Sequence, residues 1–197
     1  MKRILYVHGY NGSPTGSSFT LFDTHIDKSN YEMHTIDYDP ADPEGAVKAI
    51  KAYVREHKIE LVIGSSLGGF LTLFLYGVMR IVVNPCWNPA VELPKLGYDG
   101  PTEAYATLLQ ELIDTTDEEE AELCCGCFAA GDELLGDKYR VTFSRYYRRV
   151  YDIAGGHHLT AEAVEKIVRE VIPEHDAKTD DYVKKLIGAD NLPMWND

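Results

Sequence analysis

Six short apolar runs, each closing in turn chemistry, punctuate this chain: RILYVHG (3–9), EMHTID (32–37), ELVIGS (60–65), RIVVNP (80–85), ELCCGCFAAG (122–131) and VYDIAGG (150–156). Their β-branched and aromatic content, bounded by Gly, Pro, Asn and Asp, reads as strands. LVIG and IVVN lack polar alternation, as strands covered on both faces do. Amphipathic stretches lie between the runs. DPEGAVKAIKAYVREHK (42–58) opens with Asp42 as N-cap and Pro43 in the first turn, and Val47, Ile50 and Val54 recur at helical spacing. TAEAVEKIVREVI (160–172) places Val164, Ile167, Val168 and Val171 on one face, with Pro173 expected to end the helix. DKYRVTFSRYYRR (137–149) stacks Tyr139, Phe143 and Tyr146 or Tyr147, and ends in Arg148 and Arg149, which suit the negative end of a helix dipole. Strands alternating with helices predict an α/β domain: a mostly parallel sheet of about six strands with helices on both faces.

The alternation lapses once. Nearly forty residues separate Pro85 from Ala121, holding NPCWNPAVELPKLGYDGP, a predicted helix over 102–114 and an acidic run, DEEEAE (117–122), read as a solvated lead into the next strand. Long connections of this kind often cover a site, so residues 86–121 are read as a lid or insertion. A C-terminal extension over 173–197 is expected to carry one short helix (181–188) stopped by Gly188, with Trp195 packing back. The whole chain, 1–197, is read as one domain.

Charge and cysteine content exclude several functions. With 32 acidic against 19 basic residues the net charge is −13, which repels phosphate backbones and argues against a nucleic-acid partner. No apolar run is long enough to span a membrane, and the N-terminus does not read as a signal peptide, so a reduced, cytoplasmic setting is expected. LCCGCF (123–128) holds three of the four cysteines without a second pair at metal-ligand spacing. Adjacent Cys124 and Cys125 on a strand face opposite ways, so all read as small buried residues and no metal is expected.

Gly64-Ser65-Ser66-Leu67-Gly68 fits G-x-S-x-G centred on Ser66, at the point where a strand should become a helix. In such an elbow the middle serine holds a strained backbone that exposes its hydroxyl, and the glycines avoid clashes across the turn. The glycine spacing matches neither a dinucleotide-binding turn nor a nucleotide-phosphate loop. A serine hydroxyl needs a neighbouring base. Hydrolases built on this elbow supply the partners in the order serine, acid, histidine, each beyond a later strand. Here Gly131-Asp132-Glu133 follows the fifth run and Gly155-Gly156-His157-His158 the sixth. Asp132 and His158 are therefore expected at the same sheet edge as Ser66, with Glu133 or Asp137 as alternative acids. After the first run stands His8-Gly9-Tyr10-Asn11-Gly12. The backbone N–H groups of Tyr10 and Leu67 are the expected oxyanion donors, and His8 is read as ordering the loop.

LYVHGYNGSPTGS, VIGSSLGGF, VVNPCWNPA, AAGDELL and AGGHH together resemble the small YqiA-like esterases of the α/β-hydrolase superfamily, over Met1 to about Ile172. The resemblance implies the α/β-hydrolase fold, Ser66 as nucleophile, Asp132 as acid, His158 as base, an oxyanion hole at Tyr10 and Leu67, and hydrolysis of simple acyl esters or thioesters. His157 stands as a second candidate for the base. No organic cofactor or metal is expected, and the partner is a small-molecule acyl ester or thioester. Trp87, Pro89, Leu93 and Tyr105 are candidates for an acyl pocket, with plain packing of the insertion as the alternative. A thioesterase acting on acyl-CoA or a carrier would use the same residues, and a non-catalytic acyl-binding protein would keep only the fold.

Overall fold

All six apolar runs become strands of one parallel sheet: β1 (Lys2–Val7), β2 (Tyr31–Ile36), β3 (Leu61–Ser65), β4 (Met79–Val83), β5 (Cys124–Ala129) and β6 (Arg149–Ile153), in the spatial order β2-β1-β3-β4-β5-β6. The computed structural model describes residues 1–187. Every residue of β3 and β5 is buried, whereas the edge strand β2 is only half-buried throughout, which is why the central runs read as unbroken apolar segments. The chain moves outward from β1 to β2, then returns past β1 to β3. Strand order therefore reverses between β1 and β3, and their carboxyl ends open a crevice there.

Two layers of helix cover the sheet. One face buries Phe22 and Ile26 from and beside α1 (Ser17–His25), together with Val164, Ile167 and Val171 of the C-terminal helix. The other face takes α2 (Pro43–Glu56), through Ala46, Val47 and Ile50, and α3 (Leu67–Thr72). As expected, the Asp42 side chain caps α2, accepting from the Gly45 N–H at 2.9 Å, with Pro43 in the first turn. Residues of the 86–121 segment join this second face: α4 (Pro89–Glu92), a 3₁₀ turn (Leu93–Leu96), α5 (Glu103–Thr115) and α6 (Glu118–Glu122). Cys124 faces that layer while Cys125 and Cys127 face the other, and all four cysteines are buried and free.

Several expectations about elements need correction. The acidic run is a helix, α6, capped by Asp117; Asp117, Glu118 and Glu119 are exposed to solvent as expected, whereas Glu120 and Glu122 turn inward and are paired. Glu120 bonds the wholly buried guanidinium of Arg80 at 2.7 Å, and Glu122 pairs with Arg149. A buried charge must be paired, and the Glu120 carboxylate with the Glu120 and Leu73 carbonyls supplies the partners of Arg80. Of the helix expected over 137–149, only α7 (Lys138–Phe143) forms, and Arg149 opens β6 instead of ending a helix. Pro173 does not stop the C-terminal helix. α8 (Ala161–Lys166) passes through a π-helical turn (Ile167–Val171) directly into α9 (Ile172–Ile187), which absorbs the short helix expected from 181. The widened turn makes room for a proline ring that would otherwise meet the carbonyl four residues earlier. Gly188 and Trp195 lie outside the described residues. Among the described residues no helix is long and apolar enough to cross a membrane.

Candidate active site

Ser66 stands between the last residue of β3 and the first of α3 with φ 53° and ψ −117°, a left-handed backbone that a side chain rarely adopts. Its flanking glycines are required by space. A β-carbon on Gly64 would lie 2.3 Å from the Thr72 Oγ1 and 2.4 Å from the Gly68 carbonyl oxygen. One on Gly68 would lie 2.3 Å from the carbonyl oxygens of both Val7 and His8. The elbow is thus wedged against the end of β1. The end of β4 holds it from the other side: the Ser66 N–H donates to the Val83 carbonyl and the Ser66 carbonyl accepts from the Cys86 N–H, each at 3.0 Å.

The Ser66 Oγ lies 3.0 Å from the Nε2 of His157, whose Nδ1 lies 3.1 and 3.0 Å from the two carboxylate oxygens of Asp132. All three side chains are buried. Burial alone would raise the Asp132 carboxyl. The hydrogen bond from His157, with the Leu135 and Leu134 N–H groups at 2.8 and 3.0 Å, outweighs it and holds the carboxyl below its ordinary range. The acid thus occupies the expected position. Of the two histidine candidates, the structure brings the alternative, His157, to Ser66 and not His158, which is exposed, its ring centroid 6.0 Å away and nearly perpendicular.

The reason lies in the backbone of the loop. Glu133 Oε2 accepts from the His157 N–H at 3.0 Å, so this carboxylate holds main chain, and it is Asp132 that meets the imidazole. Asn84 Nδ2 donates to the carbonyls of Gly156 (3.2 Å) and His157 (3.4 Å), while its Oδ1 accepts from the Ala129 N–H at 2.9 Å. Asp137 merely precedes α7. With residue 157 gripped at both its N–H and its carbonyl, its side chain faces Ser66 and the next one turns to solvent.

Gly9 presses on the serine from above, since a β-carbon there would lie 3.0 Å from the Ser66 Cβ. His8 is buried, stacked on Tyr38 with ring centroids 4.7 Å apart, with Nδ1 2.9 Å from the Gly9 carbonyl and Nε2 3.2 Å from Asp37. It orders the loop that carries Tyr10 toward Ser66. Leu67 contributes the first N–H of α3, a position with no intrahelical acceptor.

A cleft of about 340 Å³ borders Ser66. Its walls are the 8–13 loop, the first turn of α1 and the His157–Leu159 segment, with Ser13, Ser17, Ser18 and His158 among the lining groups. None of the four residues expected to form an acyl pocket lines it. Trp87 stacks on Tyr146 at 5.3 Å, Tyr105 is fully buried with its hydroxyl donating to the Pro40 carbonyl, and Leu93 and Pro89 are core residues. These side chains fill the layer over the sheet, so the packing alternative holds. From the 86–121 segment Tyr98 reaches the site's edge, meeting the Tyr10 ring at 5.7 Å. Sequence reasoning missed Asn84, whose signal was an Asn-Pro pair directly after a strand, and the hydroxyls of α1, which carried none. No cluster suited to a metal ion occurs among the described residues.

A parallel sheet with a strained serine elbow at its switch point defines the α/β-hydrolase fold. Solved structures agree. Est1E from Butyrivibrio proteoclasticus superposes with a TM-score of 0.69 at 16% identity, covering 89% of this chain and 88% of that one. The esterase domain of a Rhodothermus marinus protein gives 0.62 at 15%, covering 90% and 86%. The ydeN gene product of B. subtilis gives 0.63 at 16%, covering 90% and 100%. Over residues 3–172 the chain matches the uncharacterised protein family UPF0227 and belongs to it, in keeping with the YqiA-like resemblance of its motifs.

Proposed function

We propose that this chain is a serine hydrolase that cleaves small acyl esters. His157 takes the Ser66 proton as the oxygen attacks the substrate carbonyl, and Asp132 orients the ring and stabilises its charged form. The Tyr10 and Leu67 N–H groups receive the negative charge that develops on the carbonyl oxygen; one such donor typically contributes about 3 kcal/mol. His157 then protonates the departing alcohol, and water repeats the sequence to release the acid. The observation carrying this reading is the unbroken hydrogen-bond chain Asp132–His157–Ser66 ending on a strained elbow.

A fluorophosphonate probe tests it. The folded protein should be labelled at Ser66 and should hydrolyse p-nitrophenyl butyrate, both lost in Ser66→Ala. His157→Ala should abolish acylation and His158→Ala should leave it largely intact. Unlabelled Ser66 in folded protein, or wild-type turnover in either Ser66→Ala or His157→Ala, sinks the assignment.

A further inference from the structure

Asn84 takes no part in the Asp132–His157–Ser66 chain, yet it is 2% exposed, and three of its side chain's four hydrogen-bonding directions are used on main chain around that site. Its amide donates to the Gly156 and His157 carbonyls and accepts from Ala129, while its own N–H extends the β4–β5 ladder to the Cys127 carbonyl at 2.9 Å. Two residues on, the Cys86 N–H holds the Ser66 carbonyl. One short turn therefore grips the backbone of both the serine and the histidine.

The backbone conformation makes the choice of residue informative. Asn84 has φ 42° and directly precedes Pro85, where a residue is driven toward extended conformations. Glycine would adopt the left-handed backbone at no steric cost. Glycine has no amide, however, and strain of this kind persists where the surroundings over-determine it, typically at functional sites. Among the described residues, three of the four non-glycine positions with positive φ (Asn11, Ser66 and Asn84) lie at the carboxyl edge of the sheet around the cleft.

We infer that Asn84, within the turn 84–86, is a positioning residue that sets the register between Ser66 and His157. This rests on the reading of those two as nucleophile and base. Glu133 holds the His157 N–H, Asn84 its carbonyl and Asp132 its Nδ1, which leaves the ring one direction, toward the Ser66 Oγ. Proton transfer needs hydrogen-bond reach. Releasing the carbonyl clamp lets the ring wander, which lowers kcat and leaves substrate binding alone.

Asn84→Gly tests this, because it removes the amide while relieving the backbone. With p-nitrophenyl butyrate its kcat should fall about ten- to a hundredfold, the scale of a small misplacement of a reacting group, with KM changed less than about twofold. The rate of fluorophosphonate labelling should fall in step. Asn84→Asp, which keeps the acceptor for Ala129 but loses both donors, should lose kcat in the same way and guards against a glycine variant that does not fold. A merely structural role predicts the opposite pattern: a lower melting temperature with wild-type kcat per folded, labelled molecule. That pattern in either variant overturns the inference alone. A wild-type protein that neither labels nor hydrolyses esters overturns the functional reading and, with it, this one.

Discussion

At the scale of single residues, the site depends on positions where ordinary side chains do not fit. Gly64 is one such case, because the Thr72 side chain and the Gly68 carbonyl group both occupy the space a β-carbon needs. Gly64→Ala should cost about 1–3 kcal/mol or more, the range for overpacking a tight site, read as a shift in urea midpoint. Adding Thr72→Ala should not restore stability, because the Gly68 carbonyl oxygen remains 2.4 Å from the new carbon. Full recovery in that double variant would refute the steric account. Asp132 makes a different prediction. Its carboxyl is held below the usual range, so it remains charged through the pH range of an esterase assay. Asp132→Asn, which keeps the shape but removes the charge and spoils the tautomer, should lower kcat by about 10⁴-fold. The placement of Ser66 and Asp132 was legible because it is written in local spacing: a pentapeptide at a strand end, and an acid just past a later strand. The choice between His157 and His158 was not. It is made by Glu133 and Asn84, one 24 and the other 73 residues from His157 in sequence, which rotate the loop's backbone.

At the scale of elements, the strands were readable because burial leaves an apolar signature, while helix ends depended on partners that local patterning does not reveal. Pro173 marks a stop only if the turn before it is α-helical, and a π turn removes that condition. The extra length carries His175 into the core. Fully buried, with its Nδ1 3.0 Å from Arg149 and its Nε2 3.3 Å from the Leu123 carbonyl, it is pushed down to about 4, first by burial and then by Arg149 and, more weakly, Lys2. A histidine whose folded value is depressed loses stability as pH falls, since the unfolded chain takes up the proton first. The loss runs from about 6.5 down to about 4 and is on the order of 3 kcal/mol. Glu92 titrates in a separate window. Burial raises its carboxyl, but Lys138, Tyr139 and Lys95 prevail and hold it at about 2. Its contribution is complete above about 4.5 and lost as pH falls toward 2. Urea midpoints at pH 7 and pH 5 should therefore differ less in His175→Gln than in the wild type. Glu92→Gln should be destabilised at both pH values. An equal pH dependence in His175→Gln and wild type would count against the histidine.

At the scale of the whole molecule, the cleft takes its character from topology. Strand order reverses between β1 and β3, so the helices that follow them leave toward opposite faces and open a gap whose walls are loop ends rather than core. That explains why the apolar 86–121 side chains were misleading: they belong to the layer over one sheet face, while the cleft opens beside the first turn of α1. A volume of about 340 Å³ sits at the small end of the usual range of roughly 300–1,000 Å³ for ligand pockets. Each buried methylene contributes about 0.8 kcal/mol. That gain ends where the wall ends, and it is offset where a chain covers a hydroxyl without bonding it, at about 1–3 kcal/mol per group. Ser13 and Ser17 supply such hydroxyls along this cleft. The acyl series should therefore peak early: kcat/KM for p-nitrophenyl butyrate should exceed that for the dodecanoate by about tenfold or more, measured below the micelle concentration of the longer ester. Replacing Ser17 with valine should narrow the ratio by removing a group that a methylene chain leaves unpaired. A wild-type preference that rises steadily with chain length requires an apolar channel elsewhere at Ser66, and would move the acyl site away from α1.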